Sequence, residues 1–249
     1  VKLPENVSFR DASYTTIGSI SLQGVRQADA RIGDKILVIG LGLIGQITME
    51  LLKANGCTPI GVDIDKNKVS LAKSRGNKAY ARTDSHLLDK FALDTSGRGF
   101  DSAIITASTN SEDPLSLASE VVRQKATITV VGAVKLSFER KNFYEKELTL
   151  NLSKSYGPGR YDYQYEHKGV DYPIGYVRFT EKRNMETFLQ LLSNEQISIK
   201  SLITSVHDFS KSGKIYKSLS KSKEHSEIGV LFRYSEDINL DSTIFNLKI

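Results

Sequence analysis

The sequence predicts an α/β fold in which six parallel strands are wound with helices on both faces. Apolar, strand-like runs alternate with helix-period segments from residue 35 to about 155. The first strand runs without a break into Gly40-Leu41-Gly42-Leu43-Ile44-Gly45, a glycine-rich turn that opens a helix. The second strand ends on an acid, Asp63, which lies 18 residues beyond Gly45.

Along the chain, residues 11–28 place Ile17, Ile20, Gly24, Val25 and Ala28 on one side of a leading helix, which joins the first strand through Gly33-Asp34. Strands are expected at 35–40, 58–63, 78–81, 101–107, 126–132 and 147–153, and helices at 44–55, 66–75, 85–94 and 113–124. In the first of these helices Ile44, Ile47, Thr48, Leu51 and Leu52 share a face, and Gly56 marks its end. Six strands is the count of the Rossmann dinucleotide-binding fold. Residues 155–166 read as a polar loop dense in tyrosine, of a kind that often binds something. A helix is expected at 184–192 with Met185, Phe188, Leu189 and Leu192 inward. It is followed by a strand at 201–206, a lysine-faced helix and a last strand at 229–232. The polar residues from 235 onward read as a linker.

The glycine pattern has a chemical meaning. Gly40 permits a tight turn, Gly42 lets backbone approach a pyrophosphate, and Gly45 lets helix and strand pack closely, with the helix amides facing the phosphates. Asp63 can accept hydrogen bonds from the adenosine ribose hydroxyls and repels a 2′-phosphate, which favours NAD(H) over NADP(H), while Lys66 and Lys68 soften that preference. S-adenosylmethionine domains share the glycine turn and the acid and stand as the alternative ligand class.

Composition narrows the rest. The chain has 249 residues, 39% of them hydrophobic, and no run near the ~20 apolar residues of a membrane span. Residues 1–5 do not resemble a signal peptide, so the cytoplasm is the expected compartment. Cys57 is the single cysteine, which excludes an internal disulfide and a multi-cysteine zinc cluster. A net charge of +5 and a pI near 9.1 raise the possibility of nucleic acid. Lys211, Lys214, Lys217, Lys221 and Lys223 instead suit the solvated side of a helix that buries Ile215, Tyr216 and Leu219.

Several motifs resemble the medium-chain dehydrogenase/reductases of the zinc alcohol dehydrogenase superfamily, from about Ala12 to Tyr234. They are Thr15-Thr16-Ile17-Gly18, the Gly40 to Gly45 turn, Gly61-Val62-Asp63-Ile64-Asp65, Val130-Val131-Gly132 and Ser201-Leu202-Ile203-Thr204. Tyr144-Glu145-Lys146-Glu147-Leu148, Ser155-Tyr156-Gly157-Pro158-Gly159-Arg160-Tyr161-Asp162 and Tyr176-Val177-Arg178-Phe179-Thr180-Glu181 are similar to bacterial two-part oxidoreductases. In those, such a half precedes a sugar- or inositol-type dehydrogenase half. The resemblance implies a pyrophosphate over Gly42, Leu43 and Ile44, the adenosine ribose on Asp63 with Lys68 nearby, and the nicotinamide near Thr106, Ala107, Gly132 and Ala133. It also implies a saccharide or polyol substrate and a homodimer joined edge to edge near residues 133–152.

The same resemblance divides the chain into a leading segment at 1–30, an NAD-binding domain at 31–155, the trailing α+β part of an incomplete substrate domain at 156–234, and a tail. The barrel-like domain of about 100 residues that begins such enzymes is missing, so a piece of a longer protein with fused neighbours, inactive alone, is expected. No zinc site is expected, because His86, His167, His207 and His225 are scattered. A hydride moves with a proton, and Tyr156, Lys146 and His167 are the candidate proton donors in this chain. The competing reading is a noncatalytic nucleotide-binding or scaffolding domain of a larger protein.

Overall fold

The computed structural model describes residues 1–221 and 227–234. They divide into two compact units, residues 1–200 and those from Ser201 onward. No helix among the described residues is long and apolar enough to cross a membrane.

The first unit opens with α1 (Phe9–Ala12) and α2 (Thr15–Gln27). The expected single helix at 11–28 is thus broken at Ser13 and Tyr14. The Ser13 hydroxyl donates to the Arg10 carbonyl (2.8 Å) and that of Thr15 to the Ala12 carbonyl (2.6 Å), side-chain bonds that compete with a continuous helical ladder. The alternating section then follows as β1 (Lys35–Ile39), α3 (Leu43–Ala54), β2 (Thr58–Asp63), α4 (Lys66–Ser74), β3 (Lys78–Ala81), α5 (Leu87–Thr95), β4 (Phe100–Ile105), α6 (Asp113–Val121) and β5 (Val122–Val130). After these come α7 (Arg140–Lys146), β6 (Thr149–Leu152), α8 (Tyr163–Lys168) and α9 (Glu181–Ser193).

The six strands form one sheet in the order β3-β2-β1-β4-β5-β6, every neighbouring pair parallel. Strands covered by helices on both faces must be apolar throughout, and β1 and β2 are buried from their second residue onward. Ile60, Val62, Phe91, Phe100, Ile105, Leu115 and Ile128 belong to the core of one cluster. The order turns back between β1 and β4, and at such a switch point a crevice opens at the carboxyl edge.

Three local expectations change. The α6 helix stops at Val121 and β5 begins at once, because Val122 is already extended (φ −80°, ψ 153°). Arg123 and Gln124, expected to end a helix, and Lys125 after them are taken up by a register irregularity against β4, with Lys125 at φ +59°. The tyrosine-rich stretch is only partly loop: Asp162 caps α8 by accepting from the amides of Gln164 (2.9 Å) and Tyr165 (3.4 Å).

Helix α9 packs on α2. Phe188 is fully buried, and a Cβ on Gly18 would stand 2.3 Å from its ring. Beside it the Asn184 amide donates to Gln23 Oε1 (3.1 Å) and the Tyr156 carbonyl (2.9 Å), while its oxygen accepts from Arg26 Nε (2.9 Å). Burial, with Arg178 near, pulls Arg26 down to about 10. Met185 and Leu192, expected inward, are only half-buried.

In the second unit β7 (Ile203–Asp208) pairs in parallel with β8 (Gly229–Arg233), connected through α10 (Ser212–Lys221). Lys211, Lys214 and Lys217 are exposed and Ile215 and Leu219 half-buried, as the helical spacing predicts. Tyr216 departs from it: it is 64% exposed and stacks on Phe232 with centroids 5.5 Å apart. Lys223, His225 and the tail from 235 lie outside the described residues.

Candidate functional site

At the carboxyl end of β1 the chain must leave the sheet and enter α3 within three residues. Gly40 makes the turn at φ +100°, and a Cβ on it would lie 2.5 Å from the Ala107 amide nitrogen. A Cβ on Gly45 would lie 1.9 Å from the Gly40 carbonyl oxygen. Both glycines are therefore demanded by the protein's own backbone. Gly42 differs: its φ is an ordinary −67°, and a Cβ on it would meet no atom within 4 Å. The space beside it belongs to a cleft of about 470 Å³ walled by Gly40, Gly42, Asp63, Ile64, Lys68, Arg82, Thr106, Ala107 and Asp113, among others.

Gly42 is also the N-cap of α3 and supplies no side-chain cap, so the first amides of the helix, Leu43 and Ile44 among them, point out of the turn without an intrahelical partner. Such a helix end attracts anions. Across the cleft Asp63 is 9% exposed. Its Oδ2 accepts from the Leu41 amide (2.6 Å) and its Oδ1 from the Asp65 amide (2.8 Å). These two backbone donors fix the carboxylate and leave each oxygen a free lone pair for a hydroxyl. Ile64, 76% exposed, forms an apolar ledge beside it. Lys68 lines the same wall, paired with Asp65 at 3.8 Å.

Thr106 and Ala107 line the cleft and also hold the turn: both amides donate to the Ile39 carbonyl, and the Thr106 hydroxyl donates to the Gly40 carbonyl (2.6 Å). Gly132 and Ala133 stand behind them. A Cβ on Gly132 would be 2.0 Å from the Ala107 oxygen, and the Ala133 carbonyl accepts from the Thr109 amide (2.8 Å).

Tyr156, Lys146 and His167 are not brought together, and none is among the residues lining this cleft. Lys146 caps the carbonyls of Ser119 (2.9 Å), Glu120 (2.6 Å) and Val122 (3.0 Å) at the amino end of β5, the sheet edge opposite the cleft. Burial lowers its pKa. Burial raises that of Tyr156, making it a weaker acid than free tyrosine. The His167 ring lies against Tyr163, centroids 5.0 Å apart.

A match to the family model for zinc-binding dehydrogenases extends over residues 44–169, half of the chain. The chain belongs to that family. Its medium-chain, alcohol-dehydrogenase-like Rossmann portion is the part these residues represent. Among curated relatives, a D-guloside 3-dehydrogenase from Shigella flexneri is 29% identical over 216 residues, 86% of this chain and 59% of that protein. An L-arabinitol 4-dehydrogenase from Aureobasidium melanogenum is 30% identical over 152 residues, 57% of this chain and 41% of that protein. A crystal structure described as a short chain alcohol dehydrogenase from Escherichia coli CFT073, complexed with NADH, shares the fold. Its TM-score is 0.73 at 20% identity, covering 93% of this chain and 61% of that one. The chain thus spans about three fifths of the first of these relatives.

Although the family is described as zinc-binding, the described residues do not fit zinc. Among the described residues no three His, Cys, Asp or Glu side chains are grouped to hold a metal ion. Cys57 is buried with its thiol donating to the Arg31 carbonyl (3.1 Å), and His86 and His207 lie beside Asp89 and Ser205.

Two features of the site are absent from the sequence expectations. Gln46, fully buried on α3, donates to the carbonyls of Leu41 and Lys68, both at 3.1 Å, and ties the glycine turn to α4. A glutamine one residue from the apolar face of a helix at a glycine turn is the signal that could have found it. Arg82 and Asp113 form a bidentate ion pair (3.0 and 2.7 Å) on the cleft wall. Thirty-one residues separate them, and only the fold brings them together.

Proposed function

We propose that these residues form the NAD(H)-binding portion of an oxidoreductase that interconverts an alcohol and a carbonyl on a polyol or saccharide. The observation that carries this reading is the opening beside Gly42, facing a buried Asp63 carboxylate that two backbone amides hold in place. A bound nicotinamide would supply hydride transfer. The chain's own residues would seat the pyrophosphate on the Leu43 and Ile44 amides, receive the ribose hydroxyls on Asp63 and direct the far end of the cofactor toward Thr106 and Ala107. The guloside and arabinitol dehydrogenases among the relatives support the substrate class, and the NADH-bound fold relative supports the cofactor.

Calorimetric titration is expected to give tighter NADH than NADPH binding. Asp63→Ala should weaken NADH by about 1–3 kcal/mol and narrow that preference, because the paired ribose contacts are charge-assisted. Tighter NADPH binding by the unmutated chain would contradict the reading. Since the match reaches 59% of the guloside dehydrogenase, we propose that these 249 residues bind cofactor yet reduce no carbonyl alone. Robust turnover of a carbonyl panel would overturn that.

The β6 strand is the outer edge of the sheet, and its Leu152 is 60% exposed. An unpaired edge invites a partner strand, and in the same reading two copies join there about a two-fold axis. Sedimentation is expected to give twice the 27.7 kDa chain mass, and a strict monomer at high concentration would remove the dimer.

A further inference from the structure

The Arg82–Asp113 pair crosses the crevice. Arg82 is the first residue after β3, and its amide donates to the Asp63 carbonyl (2.8 Å), where Ala81 and Asp63 are cross-strand partners. Its backbone therefore starts beside Asp63, and Arg82 and Asp63 line the same cleft. Asp113 opens α6, after β4. In the strand order β3-β2-β1-β4 these attachment points lie three strand spacings apart, about 14 Å. The segment between β4 and Asp113, together with the long arginine side chain, closes that distance, since the two groups are bonded. Arg82 Nε and Nη2 both bond the Asp113 carboxylate, so the guanidinium plane is fixed on the wall of the cleft that Ile64 also lines. The two side chains remain 35% and 44% exposed, open to a ligand.

Resting on the NAD(H) reading, we propose that Arg82 is a specificity-determining residue for the adenosine half. Its plane stacks on the adenine ring, and Asp113, bound along the Nε/Nη2 edge, neutralises the charge that would otherwise draw a 2′-phosphate and sets its own carboxylate against one. Arginine can do both, since a guanidinium stacks on flat rings and binds phosphate through a two-pronged fork. The bidentate partner selects between them.

Two fragments separate these roles without any substrate or turnover: 5′-AMP, and 2′,5′-ADP, which adds the 2′-phosphate. By calorimetry the unmutated chain is expected to prefer 5′-AMP. Asp113→Asn should remove the carboxylate's charge and shift the ratio toward 2′,5′-ADP by about tenfold. Arg82→Leu should weaken 5′-AMP by about five- to tenfold. Arg82→Lys, which keeps the charge but not the plane, should weaken 5′-AMP as much as leucine does. Thermal unfolding of each variant checks that the fold persists, which partial exposure of both residues favours. If Asp113→Asn leaves the ratio unchanged, or Arg82→Leu and Arg82→Lys leave 5′-AMP unaffected, the inference falls while the NAD(H) reading stands. If the unmutated chain binds neither fragment nor NADH, both fall.

Discussion

Replacing Gly42 with valine is expected to abolish measurable NADH binding, a loss of more than about a hundredfold, while the protein stays folded. The side chain would enter the open space beside the turn and occupy the place proposed for the pyrophosphate. Forcing a ligand to share that volume costs on the order of 3 kcal/mol or more. The fold loses little, because φ is −67° and nothing beyond the adjoining residues lies within 4 Å of the new Cβ. Valine is a poorer N-cap than glycine by about 1 kcal/mol. For a chain of this size that lowers the melting midpoint by about 2–4 °C. Calorimetry together with thermal unfolding checks both halves, and unchanged affinity would place the phosphates elsewhere. Gly45→Ala should behave in the opposite way, because its Cβ would lie 1.9 Å from the Gly40 oxygen. There stability suffers first.

The largest stability effect is expected at the α2–α9 contact. Phe188 is fully buried against Gly18, and Phe188→Ala should cost about 3–5 kcal/mol. Urea unfolding followed by circular dichroism measures it. A double-mutant cycle makes the prediction sharper. With Phe188 in place, Gly18→Ala drives a methyl to 2.3 Å from the ring and should destabilise. With alanine at 188 the same change fills part of a cavity and restores helix propensity worth about 1 kcal/mol, so its sign should reverse. Additive effects would mean that the two helices do not rely on this contact.

Period and punctuation make most of the fold legible in the amino-acid sequence. The six strands, their parallel pairing and the glycine turn follow from apolar runs alternating with helix-spaced segments, because a sheet buried on both faces leaves few other patterns. Local rules fail where polar residues carry two meanings. Arg123, Gln124 and Lys125 suit a helix surface as well as an irregular strand, and Ser13 and Thr15 interrupt a helix that apolar spacing alone would continue. In the site, Gly40, Gly42, Gly45 and Asp63 are readable because their spacing is set within one strand-helix-strand unit. Arg82 and Asp113 are not, since their pairing depends on where two separate loops end in space. Lys146 misleads for a related reason: a lysine near a sheet edge gives no sign in sequence of which edge it serves.

The unequal demands on the three glycines give the chain a historical signature. Gly40 and Gly45 answer to the backbone, so a lineage must retain them for as long as it retains this turn. Gly42 answers to the protein only as the cap of α3, a role that other residues fill at small cost, since a Cβ there would strike nothing. A descendant that ceased to bind its ligand, yet kept the domain as a scaffold, would therefore accumulate side chains at position 42 long before it lost the outer two glycines. Drift confined to that one position would date the loss of the ligand, whereas all three glycines held together would mark a line in which binding is still under selection.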